Sequence, residues 1–529
     1  DIAADGAAID NLELDVDFLS GSIDAIDLDQ VTTVGNTTTN SIQVASLTAT
    51  GNITTGDNIA SGSRSSAIGG LNLSATGVDS IAAGGSTNKA VNLRSAVIGG
   101  LENIASSTDS IVLGGKNNVA DGERSFVIGG FENIATGVDS EIIGGSSSIA
   151  NADRTTTIGG SRLSATNTSA IAVGGVDNCA SGIRSAVIGG QNNTACGNDS
   201  YVAGGDGNQA IGNYSTVAGG RSAAACGKYS NVAGGAFNQA IGNSSNVAGG
   251  RGNAAFGICS NVAGGFNSSA NGTYSNVAGG FGNCANGIKS NVAGGQNNQA
   301  IGDESSVAGG NLNKACGDNS NVAGGNLNHA CGFNSNVAGG GSNCTNGTNS
   351  NVAGGVNNCT TGTNSNVAGG ENNCAIGDCS NVAGGCSNQA IGTSSNVAGG
   401  KLNCAIGDCS NVAGGVANCA IGIQSNVAGG FNNKACGNNS NIAGGVSNRA
   451  IGIQSNVAGG DGNQACGSQS NVAGGKLNCA IGDCSNVAGG IQNISCGDCS
   501  AILGGTTNII FPAHSSSFII GSNITSSAS

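Results

Sequence analysis

The chain has 529 residues, 97 of them glycine, with one proline, no tryptophan, no methionine and only 3% aromatic residues. This leaves little material for ordinary globular cores, and glycine does not recur at every third residue as collagen requires. Seventeen basic against 31 acidic residues give a net charge of −14, which argues against a chain built to bind nucleic acid or anionic lipid. No stretch approaches about 18 consecutive apolar residues, so no membrane insertion is expected.

Residues 1–64 stand outside the repeat that dominates the chain. Residues 12–18 alternate as Leu12-Glu13-Leu14-Asp15-Val16-Asp17-Phe18, the period of a half-buried strand. A Thr/Asn-rich run follows, Gln30-Val31-Thr32-Thr33-Val34-Gly35-Asn36-Thr37-Thr38-Thr39-Asn40. That run resembles segments of phage and large-virus tail-fibre proteins, which are trimeric. The resemblance implies a β-rich segment that docks, caps or joins one fibre to the next.

From Gly69-Gly70 to Gly504-Gly505 a glycine pair recurs every fifteen residues, thirty times without a frame slip. The later unit reads S-N-V-A-G-G-x-x-N-x-A-x-G-x-x, as at Ser350, Asn351, Val352, Ala353, Gly354, Gly355, Asn358 and Gly362. Fifteen residues cannot hold a helix pair, whereas S-N-V-A and N-x-A-x, each closed by glycine, suit two short strands and two turns. The pattern predicts an all-β, parallel β-solenoid of about 30 coils, stacked about 4.8 Å apart into a rod of roughly 140 Å.

Small residues at positions three, four and eleven (Val352, Ala353; Ala375, Ala390, Ala405) predict a coil so flat that its strands nearly touch. Such a coil buries little apolar area, so stacking and oligomerisation are expected to supply the rest of the stability. Asn is nearly fixed at position nine, as at Asn283, Asn298, Asn313, Asn328, Asn343, Asn358, Asn373 and Asn388. From Asn231 on it also dominates position two. Stacked amides are expected to bond to those above and below them, as in cross-β ladders. Charges concentrate at positions seven, eight, fourteen and fifteen (Lys116, Glu132, Arg184, Asp206, Arg221, Asp303, Glu304, Asp378), where turns face water.

The unit S-x-V-A-G-G-x-x-N-x-A-x-G resembles the head repeats of trimeric autotransporter adhesins, and the similarity covers about 30 units. It implies a left-handed parallel β-roll whose three chains share a core. Coiled-coil heptads and a membrane-anchor barrel segment are not evident in this sequence, and its cysteine density departs from that family, which favours a fibre over a cell-anchored adhesin.

Composition divides the repeat. Coils over residues 65–199 carry Ile or Leu (Ile68, Ile81, Ile98, Leu113, Ile128, Ile143), where the regular Asn/Gly/Cys-rich shaft over 200–507 carries Asn and Ala. A larger apolar core, or contact with the N-terminal segment, is expected in the early coils. Pro512 then breaks the frame, and Phe518-Ile519-Ile520-Gly521 offers one last, shifted unit, so residues 508–529 read as a C-terminal cap.

The 21 cysteines keep register: eight at position ten, seven at twelve, five at fifteen, and Cys386 at seven. The unit N-C-A-I-G-D-C gives the pairs Cys374/Cys379, Cys404/Cys409 and Cys479/Cys484, and Cys496/Cys499 is a tighter version. Each pair straddles a turn glycine and is a candidate disulfide within a chain or between chains. Directly stacked cysteines hold their Cβ atoms somewhat too far apart, so diagonal pairs such as Cys179/Cys196 and Cys419/Cys436 are better candidates. Unoxidised thiols replacing Ala or Ile are the alternative. A metal site is disfavoured, since the chain has only His329 and His514 to support it. Disulfides would imply an oxidising, extracellular destination.

Two distant histidines and turn-borne acids supply neither a nucleophile with its base nor paired carboxylates in a cleft, so no enzyme and no cofactor are expected. The leading expectation is a structural homotrimeric extracellular fibre, on a virion or as a cell-surface appendage. It would act as a disulfide-reinforced spacer, with its own copies as partners, end to end or laterally, and a host receptor or glycan as a further one. The alternatives are a cell-surface adhesin binding matrix or glycans through its turn edges and, more weakly, an ice-binding solenoid. The last would need a face of stacked Thr, which does not recur through the shaft.

Overall fold

The computed structural model of the chain describes residues 51–526. The expected strand at 12–18 and the fibre-like run at 30–40 lie outside the described residues. From Ile53 to Ile519 the chain winds as a parallel β-solenoid with a fifteen-residue coil, and the described residues contain no helix.

In the coil that starts at Ser350, positions two and three form one strand, Asn351–Val352, and positions ten and eleven a second, Cys359–Thr360. Each pairs in parallel with its equivalent fifteen residues on: Asn351 with Asn366 and Val352 with Val367 in the first sheet, Cys359 with Cys374 and Thr360 with Ala375 in the second. The first sheet has 32 described strands and the second 31. A third line of single-residue parallel bridges runs through position seven, from Leu71 with Ser86 to Ile491 with Thr506. The coil thus has three ladders, one more than the two strands read from the alternation, because a lone bridging residue between glycine and a turn leaves no periodic signal.

Side chains alternate across an extended strand. Ser350, Val352, Asn358 and Thr360 therefore all point inward and are fully buried. The interior is a narrow stack of Val and Ala rows flanked by rows of Ser and Asn. Position four was expected inside with three and eleven, but Ala353 and its equivalents face out, one residue past the buried valine. The same alternation places outside the position-four isoleucines on which a larger early core was expected, and the larger side chains that the early coils do bury are Leu73, Ile142 and Leu163. Ile68, Ile98 and Ile188 are 39%, 50% and 42% exposed, while the inward position there holds Ala67, Val97 and Val187, no bulkier than in the shaft.

The compositional change near residue 200 does have a backbone counterpart. First-sheet strands are three residues long from Ser66–Ile68 through Ala186–Ile188 and two from Tyr201–Val202 onward. The first glycine of the pair has φ 76° at Gly189 but 150° at Gly204 and 159° at Gly219. In the early form its N–H donates to the position-four carbonyl of the preceding coil, as Gly189 does to Val173 at 2.6 Å.

Close stacking dictates two of the three repeat glycines. A Cβ on Gly370, at φ 88°, would fall 2.0 Å from the Gly385 carbonyl oxygen, and one on Gly377 would fall 2.1 Å from that of Gly392. A Cβ on Gly369 would meet nothing within 4 Å. Positions eight and fifteen are also left-handed although seldom glycine, as at Asn357 (φ 55°) and Asn364 (φ 56°). Among non-glycine residues Asn and Asp tolerate that conformation best, and both recur at these turns.

Both ends depart from the fifteen-residue step. Ile53 pairs with Ser66, thirteen residues on, so coiling is already under way before residue 65. At the other end Ala501 pairs with Phe518 and Ile502 with Ile519, a step of seventeen that absorbs the Pro512 segment. Ile502 and Ile510 stand fully buried where the shaft has Val and Ala.

Candidate functional site

The repeat presents its chemistry as lines along the rod axis. The buried line is the position-nine asparagine, and Asn283, Asn298, Asn313, Asn328, Asn343, Asn358, Asn373 and Asn388 are all fully buried in it. Their amides bond to backbone, where amide-to-amide bonding was expected. The Asn373 Nδ2 donates to the carbonyls of Gly369 (2.8 Å) and Gly385 (2.9 Å), and its Oδ1 accepts the backbone N–H of Asn388 (2.9 Å). One side chain thus closes its own glycine turn and ties it to the next coil. The amide-to-amide ladder occurs at position two: from Asn321 to Asn486 each Nδ2 donates to the next Oδ1, for example Asn381 to Asn396 at 3.0 Å.

Position two shares the outer face of the first sheet with position four. Between Ser66 and Leu503 these two positions carry a single charged residue, Glu141. In the shaft the face is a strip of Asn and Ala, with a shallow depression lined by Asn411, Ala413, Asn426, Ala428, Asn441 and Ala443. In the early coils it is apolar.

The cysteines gather on the opposite sheet and its following turns. All 21 are free thiols, none fully buried, and no two are at disulfide distance. Cys179, Cys374, Cys404, Cys419 and Cys479 stand at position ten in second-sheet strands. Cys196, Cys436 and Cys496 follow two residues later in the coil at position twelve. Cys379, Cys409, Cys484 and Cys499 occupy left-handed turns at φ 54° to 57°, so each N-C-A-I-G-D-C pair joins a strand to a turn. The Cys466 and Cys479 thiols lie 4.0 Å apart, thirteen residues apart in sequence. This diagonal, position twelve to position ten of the next coil, runs opposite to the seventeen-residue one read from sequence. The hydrogen bond from Cys479 lowers Cys466 to about 7, and the same bond pushes Cys479 up. Cys331 is lowered to about 7 in the same way by Cys316, stacked directly on it. Among the described residues no group of three or more His, Cys, Asp or Glu is placed to hold a metal ion.

The turn edges carry order that composition alone did not reveal. Arg64, Arg94, Arg124 and Arg184 at position fifteen each pair with an aspartate one coil on: Asp79, Asp109, Asp139 and Asp199. The bond from its arginine holds each of these carboxyls below the usual aspartate value. At position fourteen an acid or amide accepts the backbone N–H of the preceding coil, as Asp303 does from Ile288 at 2.8 Å. Opposite charges fifteen residues apart were the signal in the sequence. No family model matches the chain, and no curated protein is significantly similar to it.

Proposed function

We propose that the chain is a structural, homotrimeric extracellular fibre, carried by a virion or as a surface appendage, that serves as a rigid spacer and meets a host at its end. The observation that carries this is the outer face of the first sheet: thirty coils of side chains from Ser66 to Leu503 with one charge, Glu141. A long strip of uncharged, mostly small or apolar side chains suits self-association. The number three comes from the resemblance to trimeric adhesin heads. The role is mechanical and non-catalytic, and its partners are other copies of the chain together with a host receptor or glycan.

Disulfides reinforce the rod in this account. Two facing thiols such as Cys466 and Cys479, already 4.0 Å apart, lose two protons and pass two electrons to an external disulfide or oxygen, forming one S–S bond between neighbouring coils. Such chemistry persists outside the cell.

Arginine introduced at Ala413, Ala428 and Ala443 tests the face. The triple variant is expected to run at the mass of one chain in light scattering while keeping its β-sheet circular dichroism. An unchanged oligomer would overturn the assignment of this face. A second reading, adhesion through the turn edges, is favoured by the edge on which Arg221 lies 5.0 Å over Phe237 and Arg251 5.6 Å over Phe266.

A further inference from the structure

Between Asp206 and Asp303 the chain has no acidic residue but has Arg221, Lys228, Arg251 and Lys289. In an acidic protein this is a local reversal of sign, about six coils long. Its arginines also differ in their company. Arg64 and Arg94 each hold an aspartate, whereas Arg221 and Arg251 make no ion pair among the described residues. Arg221 lies 5.0 Å over the Phe237 ring, and Arg251 lies between Phe237 (5.9 Å) and Phe266 (5.6 Å). Phe266 stacks on Phe281 at 5.3 Å, 6° from parallel. The five side chains form one ribbon along the turn edge, with Phe237 and Phe281 42% and 45% exposed.

We propose that this ribbon is a binding edge for an acidic polysaccharide, one bearing carboxylate or sulfate groups along an extended chain. Phe237 lies between the two guanidinium groups and Phe266 between Arg251 and Phe281. Held beside these partly exposed rings are guanidinium N–H donors that no carboxylate takes up. These donors attract anions. The two arginines are two coils apart, about 9.6 Å along the axis, which suits one acidic group per disaccharide. Single-stranded nucleic acid is the poorer fit, because base stacking needs open ring faces and those of Phe237 and Phe266 are occupied. Duplex binding needs many more phosphate contacts than two arginines provide. The edge lies within one chain and rests on the fibre reading only for where the ligand is met.

The test measures binding of the full chain to an immobilised heparin oligosaccharide, with neutral dextran and poly(dT) in parallel. Saturable, salt-sensitive binding to heparin is expected, none to dextran, and weaker binding to poly(dT). The double variant Arg221→Gln/Arg251→Gln should lose about tenfold or more in affinity, and each single variant a smaller factor. Arg64→Gln/Arg94→Gln removes the same charge elsewhere and should stay within about twofold. In the background of the arginine triple variant at Ala413, Ala428 and Ala443, which adds cations of its own, Arg221→Gln/Arg251→Gln should still lower heparin affinity, which separates failure of this inference from failure of the trimer. No binding to heparin, equal loss in both double variants, or tighter binding to poly(dT) would each overturn the proposal.

Discussion

Replacing Asn373 by alanine separates the two amide lines. The substitution removes two bonds donated to Gly369 and Gly385 and the one accepted from Asn388, whose residue is fully buried. The glycine carbonyls lie near the surface and regain water. The Asn388 N–H does not, and an orphaned buried donor costs about 1–3 kcal/mol. With the small cavity left behind, the loss comes to roughly 2–4 kcal/mol in the coils around residue 373. In a solenoid each coil leans only on its neighbours, so the loss is local. Amide hydrogen exchange at the coils flanking residue 373 should quicken by about thirty- to a thousandfold, with distant coils unchanged. Asn381→Ala breaks only solvent-exposed bonds at position two and should cost about 1 kcal/mol or less. Equal effects of the two substitutions, or a change spread along the whole rod, would show that the buried amide does not hold its coil as described.

Gly370→Ala should destabilise its coil by more than about 3 kcal/mol, since the new Cβ would lie 2.0 Å from a backbone oxygen. Gly369→Ala, with open space, should cost less than about 1 kcal/mol, and limited proteolysis of the two variants ranks them. Ser395, whose buried hydroxyl has no partner, should tolerate alanine with a change below about 1 kcal/mol. Ser350 donates to Gly347 at 2.6 Å and should lose more by chemical denaturation. The aspartates paired to arginine at position fifteen have lowered pKa values. Their contribution is therefore complete above about pH 4 and is lost as pH falls through the folded-state values. Hydrogen exchange along a descending pH series should show the early coils loosening, while the coils between Asp206 and Asp303 stay unchanged.

The solenoid was legible because a single frame survives thirty units: glycine at fixed intervals marks the turns, and two-residue alternation marks the strands. The direction of side chains was less so. Val352 and Ala353 look interchangeable as small residues, and only the strand register sends one inward and the other out. Asn358 and Asn351 look like one kind of ladder, yet burial turns the first toward backbone and leaves the second to bond to its own kind. The thiol diagonal was missed for a related reason. Whether Cys466 meets Cys479 or a residue seventeen away depends on how successive strands stagger, which no spacing rule encodes. The Arg221 to Phe281 ribbon, by contrast, is visible in the sequence as a span without acids, once charge is counted by segment rather than over the chain.

On the proposed function, copies of this chain associate into a long rod. Sedimentation velocity of the intact chain, with and without reductant, tests it most directly. An elongated particle near three times 50.3 kDa is expected. With bridges between chains it comes apart only after reduction; with bridges only within a chain it is unchanged by reductant. A particle of one chain's mass under both conditions would contradict it.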